Sequence, residues 1–399
     1  TVDTNISIDN YVDKHLIPQF KELVDKFKPS VIFSDGDWDF NHKSFRSNEM
    51  VQYYYDVVGE EGVVNDRWGI GFNHGYATPE YSSGIMDKNR PWAECRGLSR
   101  SFALNRNADL ETYLTSEELI KHFARLVAAG GGLTINVGPS ADGKIPLLQQ
   151  ERLLDLGKWI KVNEEAIYGS RPFETVYQNQ NKTTNRIDEE INFNWVRNAP
   201  MKGVKEDNFS ILWQTNIVPE KTDTYTIYLE ADEDAELEII NSKKETILKL
   251  KSEKAETSQK IKLKKGENYK FKLAYQEKTH EAVANLSWES SSFAKQSIKS
   301  NWQGEVSWEE TYICFTKNEG NLYAISLYPI ENALSFTLDK APKKDMKIFL
   351  LGEKNIEIPW KYNPENKTIN LDTRIISPAD ITTKGAWVFK LSDYINYTE

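Results

Sequence analysis

The sequence predicts a multidomain protein in which an α/β region is followed by an all-β region. Strand-like and helix-like segments alternate through the first part of the chain; from about Arg171 helical periodicity disappears and alternating apolar and polar residues take over. Repeated strand–helix units imply a parallel sheet, either doubly wound or closed into a barrel. The all-β region has room for two sandwiches of roughly a hundred residues each. A chain of 399 residues also exceeds the usual single domain.

Apolar spacing and helix-breaking residues set the limits of each element. Apolar side chains recur at helical spacing from Val12 to Phe27, with Pro18 near the helix start, and Lys28 with Pro29 ends the helix. Thr115 and Glu118 stand in capping-box register before a later helix. The predicted elements are, in order, a helix over 12–27, strands over 30–33 and 63–65 separated by a helix over 47–58, a strand over 101–104, a helix over 115–129, a strand over 132–138, a helix over 147–167, strands over 224–229 and 322–327, and a turn at 264–267 between two further strands.

Composition and charge exclude several classes of function. The net charge is −10 and the charges are interspersed, which argues against nucleic acid or an anionic membrane as the main partner. Eleven Trp and nineteen Tyr offer flat faces that suit sugar rings, although most are expected to fill cores. Cys95 and Cys314 have neither metal-ligand nor disulfide-framework spacing, and are expected to be buried thiols. The sequence has no apolar run that would span a bilayer. Its first ten residues lack a signal-peptide pattern, and the same would be true of a mature secreted chain.

Charged and aromatic residues follow two of the predicted strands directly. In a parallel α/β fold, functional residues gather at the carboxyl ends of the strands. The strand over 30–33 leads into Asp35, and the strand over 63–65 leads into Arg67. The long loop beyond carries further polar and aromatic side chains: His74, Glu80, Trp92, Glu94 and Arg96. Such a rim has the carboxylates and aromatic faces that glycoside hydrolysis needs. Asp35 with Gly36 also fits a plain turn, Arg67 a structural ion pair and His74 an ordinary polar residue.

Four motifs, in order and separation, resemble the α-L-fucosidases of glycoside hydrolase family 29. They are YVDKHLIPQFKELVDKFKPSVIFSDGDW at 11–38, VVNDRWG at 63–69, PWAECRGLSRSFALNRN at 91–107 and GGGLTINVGPSADGKIP at 130–146. The resemblance covers roughly residues 8–172. It implies that residues 1–172 form the C-terminal part of a (β/α)8-like catalytic barrel. The expected architecture of the chain is therefore part of such a barrel followed by two β-sandwich domains.

The same resemblance implies roles for individual residues. Asp35, in SDGDW, stands at the place of the family's nucleophile, and Arg67, in NDRWG, matches an arginine that binds the sugar. The segment HGYATPEY at 74–81 nominates Glu80 as the general acid/base. Glu94 is the second choice, because Ala93 occupies the position of the Glu that follows Trp in some relatives. The expected substrate-binding residues are Arg67, Trp38, His74, Trp92 and Phe33.

The sequence also departs from the family pattern. Phe33 replaces a Trp of many relatives, and SFALN at 101–105 replaces the usual SFGYN, so both changes are expected to reshape the pocket. The family's paired-histidine segment has no counterpart, because the five histidines are isolated. The chain is therefore expected to open midway through the barrel, with the missing N-terminal half on a separate chain, since half a barrel would expose sheet edges.

The β-region resembles two known modules. Residues 186–304 look like an inserted protective-antigen-type β-sandwich, and residues 173–185 with 305–399 look like the C-terminal sandwich of the fucosidase family. Such inserted modules often bind glycans and some bind calcium. The run Asp232-Glu233-Asp234 fits either a calcium site or, more simply, a solvated turn.

These inferences lead to one main functional hypothesis with two alternatives. The main hypothesis is a retaining exo-α-L-fucosidase that releases terminal α-L-fucose from fucosylated glycans, with no cofactor, no metal and no membrane span. One alternative is a catalytically degenerate glycan-binding protein on the same scaffold. Another is an enzyme for a related sugar such as an α-L-galactoside, because selectivity against one added hydroxyl depends on pocket shape. A secreted or periplasmic location is expected.

Overall fold

The computed structural model describes residues 7–36, 38–82, 90–196, 198–205, 207–252, 254–278 and 282–395. The chain divides into two compact units, one of residues Thr1–Gln178 with Tyr312–Glu399 and the other of residues Asn179–Thr311. The predicted bounds of the inserted sandwich, 186 and 304, lie inside the second unit. The α-helices of the described residues all lie in the first unit: α1 Ile8–Tyr11, α2 Ile17–Phe27, α3 Ser47–Val58, α4 Ser116–Ala128, α5 Leu147–Val162 and α6 Glu164–Ile167.

The first helical stretch begins earlier than predicted. Ser7 caps α1 by accepting a hydrogen bond from the Asn10 amide at 3.3 Å, and a π-helical turn over Val12–Leu16 joins α1 to α2. Pro18 therefore lies inside the helical stretch, in the first turn of α2, where its missing amide hydrogen is tolerated. The stretch ends at Lys28, which adopts a left-handed conformation with φ 42°.

The barrel portion contains short parallel strands: β1 Val31–Ile32, β2 Val63–Val64, β3 Ala93–Gly97 and β4 Gly132–Asn136. β1 pairs with β2, and β3 pairs with β4. Residues 76–81 lie between these pairs, because single parallel bridges join Asn65 to Tyr76 and Glu80 to Cys95. The result is an arc of parallel segments whose carboxyl ends share one rim, as a barrel requires.

The predicted strand over 101–104 is wrong. Those residues form a bend in which Ala103 has φ 58° and donates its amide hydrogen to Asn136 Oδ1 at 2.8 Å. The strand of this region is instead β3, whose charged residues Glu94 and Arg96 hid it from an apolar pattern. The capping box at Thr115 and Glu118 is confirmed. The predicted helix over 147–167 is divided at Asn163 into α5 and α6.

The remaining strands belong to the β-sandwiches. They are β5 Arg171–Asp188, β6 Asn192–Val196, β7 Phe209–Ile217, β8 Asp223–Ala231, β9 Asp234–Ile240, β10 Thr246–Ser252, β11 Ala255–Leu263, β12 Tyr269–Glu277, β13 Ala282–Ser290, β14 Phe293–Ser297, β15 Trp302–Asn318, β16 Asn321–Ser326, β17 Ala333–Thr337, β18 Ile348–Leu350, β19 Ile356–Glu357, β20 Trp360–Asn363, β21 Thr368–Asp372 and β22 Trp387–Leu391. The strands predicted over 224–229 and 322–327 are confirmed as parts of β8 and β16, and the predicted turn at 264–267 lies between β11 and β12.

In the first unit, a C-terminal sandwich packs against the barrel helices. One sheet runs from the end of β15 through β16, β22 and β18 to β19, and the other has the order β17-β21-β20. Trp159 of α5 is fully buried and donates its indole hydrogen to the Ala386 carbonyl at 2.7 Å. Thr316 of β15 donates to the Ala166 carbonyl of α6 at 2.9 Å. These contacts fix α5 and α6 against the C-terminal sandwich.

The second unit is a separate sandwich with its own core. One sheet has the order β10-β9-β12-β7-β15, and the other has β11-β8-β13-β14, with β6 added beside β13. Large side chains fill the space between the sheets, among them Trp213, Trp302, Phe271 and Tyr275, which are all nearly inaccessible. A core of this size makes the second unit a compact body.

The described residues carry no helix long and apolar enough to cross a membrane. Over the same ranges, His, Cys, Asp and Glu side chains do not cluster in a group of three that fits a metal ion. Cys95 and Cys314 are free and buried.

Candidate active site

A buried asparagine fixes the loop that carries Asp35. Asn65 is fully buried at the end of β2; its Oδ1 accepts a hydrogen bond from the Ser34 amide at 2.9 Å, and its Nδ2 donates to the Ser34 carbonyl at 2.7 Å. Gly36 then turns the chain with φ 83°, a conformation that glycine adopts without strain. Asp35 is held between these two points at the rim, with its side chain 56% exposed.

Arg67 is the centre of the site. Its Nε donates to Thr78 Oγ1 and its Nη2 to the Thr78 carbonyl, both at 2.9 Å. The remaining nitrogen, Nη1, lies 3.0 Å from Asp35 Oδ1 and 2.6 Å from Glu80 Oε1. The guanidinium is therefore fixed on one side by Thr78, and it brings two carboxylates together on the other.

The electrostatics of Arg67 follow from these partners. Its side chain is only 15% exposed, so burial opposes the charge, but the hydrogen bonds to Asp35 and Glu80 outweigh burial and raise the pKa of Arg67. The guanidinium also lies over the Phe33 ring, with Cζ 5.4 Å from the ring centroid. Arg67 thus stays a cation that faces Asp35, Glu80 and one exposed aromatic ring.

The NDRWG motif has a structural reason for its other residues. Asp66 Oδ1 accepts from the Thr78 amide at 3.1 Å and from the Thr78 hydroxyl at 2.7 Å, and Arg90 lies 3.0 Å from Asp66 Oδ2. Trp68 is buried and donates its indole hydrogen to the Asn65 carbonyl at 3.0 Å. Gly69 has φ 111°, and a Cβ there would lie 2.6 Å from the backbone of His42. Asp66 is therefore the support of Thr78 and not the ion-pair partner of Arg67.

Glu80 is positioned by its attachment to β3. The Cys95 amide donates to the Pro79 carbonyl at 2.8 Å, and the Tyr81 amide donates to the Cys95 carbonyl at 3.2 Å. Glu80 lies between these two hydrogen bonds, near the carboxyl end of residues 76–81. Its side chain is 43% exposed and accessible from the rim.

Glu94, the second choice for the acid/base, lies on the other face of β3. It is fully buried and contacts His122 of α4, with Arg96 Nη1 3.9 Å from its Oε1. Burial lowers the pKa of His122, although the hydrogen bond with Glu94 acts in the opposite direction. Successive side chains of a strand alternate between faces, so Glu94 points to the helices while Cys95 faces Arg67 and Glu80. The geometry therefore excludes Glu94 from the pair of carboxylates at the rim.

Two expected substrate-binding residues also lie elsewhere. Trp92 is buried among Ala77 and Leu126, and its ring occupies the space that a Cβ on Gly131 would need, so it is a core residue on the helix side. His74 forms a 2.9 Å hydrogen bond with the Tyr55 hydroxyl at the opposite, amino-terminal end of the segment that carries Glu80. The expected roles of Trp92 and His74 in substrate binding stay predictions. Trp38 follows Asp35 in the same loop and is 65% exposed.

Sequence reasoning missed three residues that shape the site. Thr78 orients Arg67, Tyr81 follows Glu80 with φ 45°, and Phe102 packs its ring edge-on against Tyr81 at 5.4 Å between centroids. Thr78 and Tyr81 flank the nominated Glu80 in ATPEY, which was the available signal. Phe102 lies in residues 101–104, for which the sequence pattern predicted a strand.

Two carboxylates brought together at the carboxyl ends of parallel strands fit the kind of pair that glycoside hydrolysis uses. Comparison with known proteins agrees: residues 2–165 match the α-L-fucosidase family, and residues 166–302 match the PA14 domain. These two matches confirm the expected resemblances to the α-L-fucosidases and to a protective-antigen-type sandwich.

Curated relatives match the first part of the chain. It is 36% identical over 165 residues to an α-L-fucosidase of Branchiostoma floridae, covering 39% of this chain and 36% of that protein. It is 34% identical over 191 residues to the tissue α-L-fucosidase of Rattus norvegicus, covering 45% and 40%. The chain thus spans well under half the length of these relatives.

Solved structures confirm the fold. The Thermotoga maritima α-fucosidase in complex with a mechanism-based inhibitor is 20% identical and superposes with a TM-score of 0.51, covering 96% of this chain and 56% of that one. The α-L-fucosidase isoenzyme 1 from Paenibacillus thiaminolyticus is 15% identical with a TM-score of 0.53, covering 98% and 64%. The architecture is a partial (β/α)8-like barrel followed by β-sandwich domains, as predicted.

Proposed function

We propose that this chain supplies the catalytic residues of a retaining exo-α-L-fucosidase. One observation carries the proposal: a single nitrogen of Arg67 binds both Asp35 and Glu80 at the rim of the parallel strands. The names of the curated relatives support the substrate class, terminal α-L-fucose on a glycan.

In this mechanism Asp35 is the nucleophile and Glu80 is the acid/base. The Asp35 carboxylate forms a bond to the anomeric carbon while Glu80 gives its proton to the leaving oxygen, whose bond to that carbon breaks. Glu80, now ionised, removes a proton from water, and the water oxygen replaces Asp35 at the anomeric carbon. Two displacements restore both residues and retain the anomeric configuration.

The spacing of the two carboxylates favours retention. Their near oxygens lie on one nitrogen at 3.0 and 2.6 Å, so their separation is no greater than these two distances combined. Retaining glycosidases hold their carboxyl groups about 5–5.5 Å apart, whereas inverting ones need about 6.5–9.5 Å for a water molecule. The combined distance for these two oxygens lies below the inverting range.

Arg67 has two tasks in this proposal. Without sugar its single positive charge reduces the repulsion between the two carboxylates. A bound sugar has to separate Glu80 from Arg67, because Glu80 must carry a proton in the first step. Phe33 and Phe102, each 43% exposed, offer aromatic faces to the apolar side of fucose.

A glycan-binding protein without catalysis is the second candidate. Ala93 favours it, because Ala93 replaces a Glu of some relatives and the adjacent Glu94 points away from the rim. The two functions differ in one result: a binding protein retains fucose without hydrolysing an aryl α-L-fucoside. A secreted or periplasmic location belongs to the proposal through its glycan substrate, and cell fractionation tests it.

We also propose that a further polypeptide completes the barrel. Among the described residues, β1 pairs with β2 alone and β4 with β3 alone. Val31 and Val63, on these parallel strands, are 53% and 42% exposed. Strands of a parallel sheet are normally covered on both faces, so open edges and exposed valines favour a partner that brings further β/α units.

Substitution of the two carboxylates in the complete enzyme tests the catalytic proposal. Asp35→Ala should lower kcat on an aryl α-L-fucoside by at least about 10⁴-fold, and Glu80→Ala by about 10²–10⁴-fold, with partial recovery of the second on addition of azide. Asp39→Ala is the matched control, an exposed carboxylate of the same loop whose removal should leave kcat within twofold.

A labelling experiment decides the identity of the nucleophile. A slow fluorinated fucoside should leave a covalent sugar on the peptide that contains Asp35. Label on another peptide, or a Glu80→Gln enzyme that hydrolyses at the wild-type rate, contradicts the assignment.

A further inference from the structure

Tyr81, the residue directly after Glu80, is held at both of its ends by β3 and the turn that follows. Its amide donates to the Cys95 carbonyl at 3.2 Å. Its hydroxyl accepts a hydrogen bond from the Gly97 amide at 3.1 Å and lies 3.3 Å from the Ser99 carbonyl, to which it donates. The side chain therefore spans from the Glu80 segment to the carboxyl end of the neighbouring strand.

The ring of Tyr81 is packed as tightly as its ends. Phe102 meets it in an edge-to-face arrangement with an interplanar angle of 65°, and the Arg96 guanidinium lies over it with Cζ 5.4 Å from the centroid. Arg96 is itself held by the buried Glu94 and His122. The residues that face the helices thus contribute to the position of Tyr81 at the rim.

The backbone of Tyr81 adopts a conformation that bulky residues avoid. A φ of 45° lies in the left-handed region, which is unfavourable for a residue with a Cβ. Such a conformation persists only where the surroundings fix it, and the hydrogen bonds to Cys95, Gly97 and Ser99 do so here. This backbone turn at Tyr81 ends the segment of residues 76–81 immediately after Glu80.

We propose that Tyr81 is a positioning residue for the acid/base, which holds Glu80 in the orientation that proton transfer requires. The inference rests on the proposed function. Tyr81 does not touch Asp35 or the sugar in this scheme, so its removal should affect proton transfer through Glu80 and not the nucleophile. Small displacements of a catalytic group cost about 10²-fold in rate for 1 Å.

The test is Tyr81→Phe in the complete enzyme, which removes only the hydroxyl. On a fucoside with a poor leaving group, kcat should fall by about 10-fold to 100-fold. On an activated aryl fucoside, which needs little protonation, the change should stay within about twofold. The alkaline side of the pH–rate profile, where loss of the Glu80 proton limits the rate, should shift as well, a change that a loss of folded protein would not produce. Tyr168→Phe is the matched control, since Tyr168 is 66% exposed and lies outside the site.

Comparison with Glu80→Gln separates the two hypotheses. If Glu80→Gln shows strong dependence on the leaving group and Tyr81→Phe shows none, the inference about Tyr81 is wrong while the proposed function stands. If neither variant shows it, the proposed function itself is wrong. Should Tyr81→Phe fail to fold, Arg96→Lys, which removes the planar group above the ring, carries the same expectation and the same grounds for rejection.

Discussion

Arg67 shows at the scale of a residue how one side chain organises a site. Three of its nitrogens have separate tasks: Nε and Nη2 bind Thr78, and Nη1 binds the carboxylates. A lysine has one nitrogen and no planar fork, and it could not be fixed on one side while binding two acids on the other. The combination of Arg67 with Thr78 therefore matters more for the geometry of the site than the positive charge alone.

Ala103 gives a prediction at the same scale. The usual SFGYN motif has glycine where this chain has Ala103, and the residue adopts φ 58°. Ala103→Gly should therefore stabilise the protein by about 0.5–1 kcal/mol, because glycine reaches this conformation without strain. The midpoint of chemical denaturation measures the effect.

The matched control for this substitution is Ala129→Gly. Ala129 has φ −79°, an ordinary helical value, so glycine there should destabilise by up to about 1 kcal/mol. Equal effects of the two substitutions would show that the left-handed backbone of Ala103 stores no strain.

At the scale of an element, β12 ends in a buried acid with an unusual proton balance. The Tyr275 hydroxyl lies 2.6 Å from Glu277 Oε2 and 3.0 Å from Asp232 Oδ1. One hydroxyl has one proton, so it satisfies both neighbours only when Glu277 is protonated and donates to the tyrosine oxygen. Burial raises the pKa of Glu277 to about 7, with the nearby charges of Asp232, Glu233 and Asp207 acting in the same direction.

This raised pKa predicts a pH dependence of the second unit. Unfolded Glu has a pKa of about 4.3, so the folded state binds the proton more tightly and loses stability as pH rises from there to about 7. The loss should amount to at most about 4 kcal/mol and level off above that pH. Thermal unfolding between pH 4 and 8 measures it.

Glu277→Gln should remove the dependence, because the amide donates to Tyr275 at every pH. The exposed Glu220→Gln is the control and should keep the wild-type profile. A Glu277→Gln protein whose melting temperature still falls over this range would place the titrating group elsewhere. The acidic run at 232–234 thus has a structural task in its first member, Asp232, which also accepts a hydrogen bond from the Val283 amide at 2.8 Å.

At the scale of the whole molecule, the open edges of the barrel predict an assembly. Native mass spectrometry of the active enzyme should find this chain, of 46.0 kDa, bound to further polypeptide that completes the parallel sheet. Val31→Lys should weaken that association about 10-fold or more by placing a charge on the exposed face. Val218→Lys, which alters a similarly exposed valine of the second unit, should have no effect.

The outcome that contradicts this prediction is a 46.0 kDa species with full hydrolytic activity. Such a species would mean that Asp35, Arg67 and Glu80 suffice without further strands.

Local patterns in the sequence predicted the parts of the fold that depend on local physics. The capping box of Thr115, the alternating strands of the sandwiches and the turn at 264–267 each follow from propensities of neighbouring residues. Asp35 and Arg67 were located because parallel strands expose their carboxyl ends at one rim. These features need no knowledge of distant contacts.

Only the tertiary structure decided which face each side chain of β3 occupies. The string PWAECRG contains Trp92 and Glu94 beside motif residues, but strand alternation turns both toward α4, where Leu126 and His122 cover them. His74 was separated from Glu80 for a similar reason, since the extended segment places them at opposite ends. Sequence by itself determined the kinds of residues available at the rim; packing across distant elements determined which of them meet, because register and facing depend on contacts that no local pattern contains.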